Sequence, residues 1–328
     1  MSSETVVVTG GRGFVAHHLA QRLVAEGKRV LIFDLPATDT APPPIPGAVY
    51  IDGDIRDPER MLAALPADVE TVYHFAAVVG VDRYLASPAD VHDINVNGTR
   101  NVFQVAASRD AKLVFASTSE VYGKNPNLPW HETSDSVLGS TDRFRWSYAA
   151  SKISAEQVID DLARRHSTRS TKLRLFNVYG PVQRPKFVIS RNLHRALNGL
   201  ALEVHNGGRQ TRCFTYVDDV VTAIVRAGRP DTANGRTINI GTDRETSMRD
   251  AVESLRTVLD DPTVKIEVLE GGGDDGYEDV PRRVPAIERA VSELGWRPST
   301  DLMSGLSATV EWARTATWWT GSGRDQGE

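Results

Sequence analysis

A tyrosine and a lysine four residues apart have the clearest chemical potential in this sequence. Tyr148 and Lys152, in the segment YAASK, fall in a stretch whose pattern predicts a helix, so both side chains project from one face. A free tyrosine has a pKa of about 10 and is a poor base at neutral pH, but a neighbouring ammonium stabilises the phenolate and lowers that pKa. We therefore predict that Tyr148 removes a proton from a hydroxyl group, helped by Lys152.

A glycine-rich turn follows the first predicted strand, VVVT. Gly10 and Gly13 belong to the segment GGRGFVA, in which Phe14 and Val15 open a predicted helix. In this setting the glycines permit a tight turn and a close approach of backbone to a pyrophosphate, which the helix N-terminus attracts. Its position between a strand and a helix makes this pattern more specific than glycine spacing alone. The turn therefore predicts a dinucleotide site.

Acidic residues at the ends of the next strands indicate which dinucleotide binds. Asp34 ends the strand RVLIFD, 18 residues beyond Ala16. A carboxylate there accepts hydrogen bonds from both adenosine ribose hydroxyls and repels a 2′-phosphate, so NAD is predicted rather than NADP. Asp54 and Ile55 follow the third predicted strand. We expect them to hold adenine through its amino group and one face.

The alternation of apolar runs and helical stretches predicts the scaffold. Continuous apolar strands separated by helices indicate a parallel sheet covered on both faces, an α/β doubly wound (Rossmann) fold. Beyond Gly180-Pro181 this rhythm loosens, which predicts a smaller C-terminal substrate lobe. The predicted division is an NAD-binding domain from 1–180 and 214–241, a second lobe from 181–213 and 242–318, and a tail from 319–328.

Composition limits the partners of the protein. The 328 residues carry a net charge of −5 with Lys and Arg spread along the chain, which argues against nucleic acid or an anionic membrane as partner. Cys213 is the single cysteine, so no internal disulfide forms. The N-terminus lacks the pattern of a signal peptide, and no apolar run approaches the roughly 20 residues of a membrane span. We expect a cytoplasmic protein without a metal site.

Taken with these motifs, the chain resembles the extended short-chain dehydrogenase/reductase family over nearly its full length. The resemblance implies that the sheet domain binds NAD and that the smaller lobe binds a nucleoside diphosphate sugar. It also implies a homodimer with a four-helix interface, formed by helices near 95–108 and 148–165 of each subunit. The matching segments are TGGRGFVA, Asp34, GDIRD, HFAA, NVNGT, STSEVYG, YAASK, RLFNVYGP, QTRCFTYVDD and ELGWRP.

The resemblance also assigns individual positions. Asn177 and Arg212 would contact the substrate diphosphate, and Arg212 is a strong phosphate donor in its own right. His205 lies where relatives often have a tyrosine that stacks on the base. Asn95 and Phe176 would lie near the nicotinamide half of NAD, and the other expected cofactor contacts are Ala76, Tyr148 and Lys152.

Three reactions of this family begin with oxidation of the sugar 4-hydroxyl, and the segment STSEVYG separates them. Thr118 occupies the family's catalytic hydroxyl position. Dehydratases usually carry Asp-Glu after this threonine, whereas here Ser119 replaces the acid, so dehydration is disfavoured. Glu120 is retained, and the string resembles that of UDP-glucuronate decarboxylases. Arg283 lies where those decarboxylases carry an active-site arginine, which would bind the sugar carboxylate or relay a proton at C5.

The sequence therefore predicts an NAD-dependent UDP-glucuronate decarboxylase. Oxidation at C4, loss of the C6 carboxylate as CO2 and protonation at C5 would give a UDP-4-keto-pentose, or UDP-xylose where NADH returns its hydride to C4, with Glu120 as an acid that governs protonation. A 4-epimerase of UDP-glucuronate or UDP-glucose is the alternative, because similar segments around Arg283 occur in epimerases. A second alternative is a protein that senses NAD without catalysis; such proteins commonly lose the tyrosine or the lysine, and here both are present.

Overall fold

A central sheet of seven strands organises the protein. The computed structural model describes residues 4–80, 86–270 and 278–321, and all strand pairs in this sheet are parallel. Its strands are β1 (Thr5–Thr9), β2 (Arg29–Asp34), β3 (Val49–Asp52), β4 (Val69–His74), β5 (Lys112–Thr118), β6 (Ser170–Leu175) and, after four short strands, β11 (Arg236–Ile240).

Across the sheet the strands lie in the order β3-β2-β1-β4-β5-β6-β11. The order reverses between β1 and β4, and sheets of this kind bind ligands beside the reversal, outside the carboxyl ends of the strands. Thr9 aligns with both Phe33 and His74, so β1, β2 and β4 end at nearly the same level. The predicted doubly wound α/β fold is confirmed.

Helices cover both faces of the sheet. Alternate valines of β1 show this directly, because Val6 and Val8 belong to one buried cluster and Val7 belongs to another on the opposite face. The helices described are α1 (Phe14–Ala25), α2 (Pro58–Ala64), α3 (Pro88–His92), α4 (Thr99–Ser108), α5 (Ser147–His166), α6 (Val188–Leu197), α7 (Val217–Ala227), α8 (Met248–Leu259), α9 (Glu288–Leu294), α10 (Leu302–Thr315) and α11 (Thr317–Gly321).

Short helical turns connect several of these elements. A π-helical turn at Asp93–Gly98 joins α3 to α4, and 3-10 turns lie at Ser119–Tyr122, Phe144–Trp146 and Asn206–Gly208. Two of the 3-10 turns adjoin elements that carry predicted catalytic residues: one follows β5 and the other leads into α5. Of the helices in the described ranges, none has the length and apolar character needed to cross a membrane.

Small strand pairs lie outside the central sheet. The strand β7 (Val178–Tyr179) pairs with β10 (Thr215–Tyr216), and β8 (Leu202–His205) pairs with β13 (Ile266–Leu269), both in parallel. An antiparallel pair joins β9 (Thr211–Arg212) to β12 (Thr246–Ser247). The division into an NAD-binding domain and a smaller lobe, at the boundaries given in the sequence analysis, stays a prediction.

The buried part of the chain extends beyond residue 318, where the sequence predicts that a tail begins. Trp319, predicted as the first residue of a tail, instead belongs to α11, and its side chain is 2% exposed. Its indole Nε1 donates a 2.8 Å hydrogen bond to the carbonyl of Gln183, and its ring meets Trp312 edge-on at 5.4 Å. Burial of a large aromatic side chain with its polar group satisfied explains the difference. Residues 322–328 lie outside the described residues.

Candidate active site

The loop between β1 and α1 is shaped for close approach. Gly10 has φ +71°, and a Cβ atom on it would lie 2.6 Å from the backbone nitrogen of Ala76, which follows β4. Glycine meets both conditions without strain. Gly13 is the N-cap of α1, whose first residues Phe14 and Val15 pack against the buried core, and the cap has no side-chain hydrogen bond. The start of α1 therefore offers backbone N–H groups, which fits the predicted pyrophosphate site.

Asp34, the last residue of β2, lies beside this loop. Its carboxylate accepts 2.8 Å hydrogen bonds from the backbone N–H groups of Arg12 and Leu35. Burial raises the pKa of Asp34, and these backbone hydrogen bonds oppose the shift. The guanidinium of Arg12 is itself engaged, because it donates to Leu35 O at 2.9 Å and to the Asp52 carboxylate at 3.0 Å. This acidic strand end fits ribose hydroxyls better than a phosphate.

The residues predicted to hold adenine lie after β3. The Asp54 carboxylate accepts a 2.7 Å hydrogen bond from the Arg56 guanidinium, and this bond is the main reason that the pKa of Asp54 is lowered. Ile55 is 5% exposed, and its side chain fills the space where a Cβ on Gly98 would lie. Asp54 is thus an ionised, half-exposed carboxylate and Ile55 a buried apolar neighbour.

Two predicted residues of the nicotinamide half are buried near the ends of β4 and β6. Asn95 accepts a 2.8 Å hydrogen bond from Val78 N and donates one of 3.0 Å to Ser151 Oγ, which ties the π-helical turn to α5. Phe176 is fully buried, with its ring centroid 6.1 Å from that of Tyr122. Asn95 thereby fixes α5 relative to the turn after β4.

Thr118, Tyr148 and Lys152 come together where β5 ends and α5 begins. Tyr148 lies in the first turn of α5, and its hydroxyl group hydrogen-bonds the Thr118 side chain. Lys152 is 3% exposed, and its Nζ donates a 2.9 Å hydrogen bond to Ala116 O. The ammonium also lies 4.5 Å from the centroid of the Phe115 ring. The structure therefore assembles the predicted hydroxyl pair with the lysine one helical turn away.

The ionisation of this pair differs from the sequence prediction. Burial raises the pKa of Tyr148, the Glu120 carboxylate raises it further, and the hydrogen bond with Thr118 opposes both effects. The pKa of Lys152 falls to about 7, because burial disfavours the ammonium. The spacing of the two residues indicates that Lys152 lies beside Tyr148. It indicates neither the burial of both side chains nor the nearby carboxylate of Glu120. The expected lowering by Lys152 is therefore not the dominant effect in this structure.

A chain of ion pairs centres on Glu120. Glu120 Oε2 lies 2.7 Å from Arg145 NH2, and Oε1 accepts a short hydrogen bond from Arg283 NH1. Its backbone N–H donates to Thr118 Oγ1 at 3.2 Å, so the 3-10 turn joins these charges to the Tyr148 pair. The side chains of Arg145 and Arg283 are 0% and 7% exposed. Two buried guanidinium groups thus lie beside the predicted reaction centre.

These contacts change the role expected of Glu120. Burial raises the pKa of its carboxyl group, but the charges of Arg283 and Arg145 and their hydrogen bonds outweigh burial and bring the pKa to about 2. A carboxylate that is ionised throughout the neutral range is a poor proton donor, so these contacts favour an anion at Glu120 over the acid expected from the sequence. It holds the two arginines in place.

The predicted substrate residues occupy three different surroundings. Arg212, on β9, contacts the Asp279 carboxylate at 2.8 Å, and Arg283 lies 3.9 Å from the same oxygen atom. Asn177 follows β6, and its side-chain Oδ1 is buried without a hydrogen-bond partner among the described residues. His205 ends β8, outside the central sheet, with its Nε2 atom 3.5 Å from Glu203. Arg212 and Arg283 are thereby linked through one carboxylate.

Comparison with known proteins decides the family. The model of the NAD dependent epimerase/dehydratase family matches residues 6–241. The chain belongs to this family. The family is NAD dependent, so the NAD cofactor and the enzymatic nature predicted from the sequence are confirmed.

Individual relatives cover almost the whole chain. It is 34% identical over 315 residues to a UDP-N-acetyl-alpha-D-glucosaminuronate decarboxylase of Bacillus cytotoxicus, covering 94% of this chain and 97% of the relative. It is 32% identical to UDP-glucuronic acid decarboxylase 6 of Arabidopsis thaliana, covering 94% and 89%. Among solved structures, UDP-glucose 4-epimerase of Thermus thermophilus in complex with NAD superimposes with a TM-score of 0.83 at 27% identity, covering 95% and 99%.

Within this family member, sequence reasoning missed two charged residues of the site. Arg145 is the second partner of Glu120, and its Nε donates a 2.9 Å hydrogen bond to Glu278 O. Asp279 joins Arg212 to Arg283. An arginine three residues before Tyr148 was a visible signal for Arg145. Asp279 has no comparable signal, because its role depends on contacts with residues distant in sequence.

Proposed function

We propose that the protein is an NAD-dependent decarboxylase of a UDP-uronic acid, with UDP-glucuronate as the predicted substrate. The observation that carries the proposal is the pair of Arg283 with Glu120, next to the hydroxyl groups of Thr118 and Tyr148. A buried guanidinium at this place suits a sugar carboxylate. The two named decarboxylases that resemble the chain over nearly its full length support the same conclusion.

The residues present fit NAD. Gly10 and Gly13 with the start of α1 would hold the pyrophosphate, and the Asp34 carboxylate would accept hydrogen bonds from the adenosine ribose. Asp54 and Ile55 would contact adenine, and Lys152 the nicotinamide ribose. When bound, NAD supplies the hydride acceptor for oxidation at C4 and a positively charged ring beside Tyr148.

The side chains divide the work at the sugar. Tyr148, hydrogen-bonded to Thr118, would take the proton of the 4-hydroxyl group. The resulting ketone is β to the C6 carboxylate, so loss of CO2 leaves an enolate and needs little assistance from an acid. Arg283 would hold the carboxylate, or relay to C5 a proton that solvent supplies, while ionised Glu120 keeps Arg283 and Arg145 in position.

The first test is the product formed from UDP-glucuronate in the presence of NAD. We expect CO2 release and a UDP-pentose or UDP-4-keto-pentose, identified by mass spectrometry and NMR. UDP-N-acetyl-α-D-glucosaminuronate belongs in the same experiment, because one relative is named for it. UDP-glucose and dTDP-glucose serve as substrates without a carboxylate.

A 4-epimerase is the second candidate, and the similar solved structure of a UDP-glucose 4-epimerase favours it. It predicts a hexose or hexuronate with inverted C4 and all of its carbon atoms. UDP-glucuronate recovered as UDP-galacturonate without gas release would therefore replace the decarboxylase by the epimerase.

Cofactor choice provides a further prediction at Asp34. The unmodified protein should bind NAD much more tightly than NADP, because the carboxylate would face the 2′-phosphate. Asp34→Ala should weaken NAD binding about 10- to 100-fold, since charged hydrogen bonds to ribose are lost. It should thereby narrow the preference for NAD over NADP. Asp34→Asn is the matched control, because it retains hydrogen bonding without charge. Dissociation constants from calorimetry check this, and equal affinities of the unmodified protein for both dinucleotides would contradict it.

The homodimer and the cytoplasmic location are further parts of the proposal. The helices predicted for the interface correspond to the π-helical turn with α4 and to α5, and α4 and α5 pack against each other. A joint face of two adjacent helices is what a four-helix interface between two subunits needs.

A further inference from the structure

A buried carboxylate lies one helical turn beyond Lys152. Glu156 follows Lys152 by four residues on α5, which places the two side chains on the same face of the helix. The Glu156 side chain is 8% exposed. A buried carboxylate is costly unless it is paired and hydrogen-bonded, so its partners indicate its role.

Glu156 connects three elements of the active site. Its Oε1 accepts hydrogen bonds from Ser117 Oγ at 2.5 Å and from Arg174 Nε at 3.0 Å, and its Oε2 accepts one of 2.7 Å from Arg174 NH2. Ser117 directly precedes Thr118 at the end of β5, and Arg174 lies on β6. One side chain therefore ties the strand of the catalytic threonine and a neighbouring strand to the helix of Tyr148.

Arg174 is held in its place from the other side. Its NH1 donates 3.0 Å hydrogen bonds to Tyr122 OH and to Glu132 O, and its guanidinium lies 4.9 Å from the centroid of the Tyr122 ring. The position of the Glu156 carboxylate is thus set by a rigid partner rather than by a surface side chain.

Lys152 and Glu156 both contact the end of β5, because Lys152 Nζ donates to Ala116 O and the Glu156 carboxylate accepts from Ser117 Oγ. Burial disfavours the ammonium, and the opposing influence on the pKa of Lys152 is the charge of Glu156. Other titratable groups nearby are Tyr148 on the same helix, His74 at the end of β4, whose pKa is lowered by burial and then by Lys152, and Glu120, which acts on Tyr148. His74 has a pKa of about 3 and is neutral near pH 7.

We propose that Glu156 is a positioning residue that keeps Lys152 protonated, and that Arg174 limits this effect by neutralising part of the Glu156 charge. The proposal rests on the assignment of Tyr148 and Lys152 in the proposed function, but it applies to any reaction that Tyr148 initiates. A neutral lysine stabilises no phenolate, so the charge of Glu156 acts on Tyr148 through Lys152.

Two substitutions separate this electrostatic role from a structural one. Glu156→Gln removes the anion near Lys152 and leaves the positive charge of Arg174 uncompensated. Both effects favour neutral Lys152. Arg174→Gln removes the cation and leaves the anion, so protonated Lys152 is favoured. A purely structural network predicts a similar loss of stability for both variants and no opposite displacement of the Lys152 titration.

The titration of Lys152 can be followed directly by NMR of protein labelled with ¹³C at lysine Cε. The sequence contains seven lysines, and the signal missing from Lys152→Met identifies the residue. We expect Glu156→Gln to lower the midpoint by about one pH unit or more and Arg174→Gln to raise it by a similar amount. Ser117→Ala is the matched control, because it removes a hydrogen bond to Glu156 but no charge, and it should leave the midpoint nearly unchanged.

The midpoint is measured without a sugar, so it is independent of the reaction and substrate assigned above. Turnover adds a second readout: its alkaline limit should move to lower pH in Glu156→Gln and to higher pH in Arg174→Gln. Midpoints that stay unchanged or move in the same direction in both variants would overturn the proposal. If Glu156→Gln fails to fold, Arg174→Gln decides alone, because an unmoved or lowered midpoint then contradicts it.

Discussion

Tyr148→Phe should lower turnover by about 10²- to 10⁴-fold while NAD still binds, the usual effect of removing a group that transfers a proton. The substitution keeps the buried ring and removes the hydroxyl group that hydrogen-bonds Thr118. Formation of the reduced cofactor in a single turnover, followed by its absorbance, measures the oxidation step. Calorimetric titration with NAD measures binding separately.

Lys152→Ala tests the second member of the tyrosine–lysine pair. It should impair both NAD binding and rate, because Lys152 is expected to contact the nicotinamide ribose as well as to favour the phenolate. Thr118→Val tests the partner hydroxyl with nearly unchanged volume. Near-normal turnover of Tyr148→Phe would exclude Tyr148 as the base, whatever sugar is the substrate.

Features of the site that depend on neighbouring residues were predictable from the sequence. Gly10 and Gly13 predict a tight turn because few residue types tolerate its backbone geometry, and φ at Gly10 is indeed +71°. The spacing of Tyr148 and Lys152 fixes their common face on a helix, and apolar runs such as VVVT require cover on both sides of the sheet.

Features that depend on charge and burial in three dimensions were not predictable in the same way. Glu120 and Arg283 are 163 residues apart, yet their contact determines that Glu120 is ionised. The same carboxylate raises the pKa of Tyr148, which local spacing cannot indicate. Trp319 likewise follows a segment without a strong pattern but finds a buried partner in Gln183.

The largest effect on substrate choice is expected from Arg283→Ala. Truncating one partner of a buried charge pair typically costs about 2–5 kcal/mol, so kcat/KM for UDP-glucuronate should fall roughly 30- to 5,000-fold. The guanidinium would no longer hold the sugar carboxylate, and Glu120 would retain Arg145 as its cation. Binding of UDP-glucose, which has no carboxylate, should change much less. The measurement is the ratio of the two affinities together with kcat/KM for UDP-glucuronate.

Two variants separate the carboxylate contact of Arg283 from its support of Glu120. Arg283→Lys retains the charge without the two-pronged geometry of a guanidinium, so it should recover part of the preference for the uronate. Glu120→Gln retains Arg283, and it should slow decarboxylation more than it weakens UDP-sugar binding. Removal of the Glu120 charge should also shift the ionisation of Tyr148 to lower pH, because that charge raises its pKa. If Arg283→Ala weakens UDP-glucose and UDP-glucuronate binding equally, Arg283 acts through Glu120 and the fold rather than on the sugar carboxylate, and the assignment of a uronic acid substrate loses its structural support.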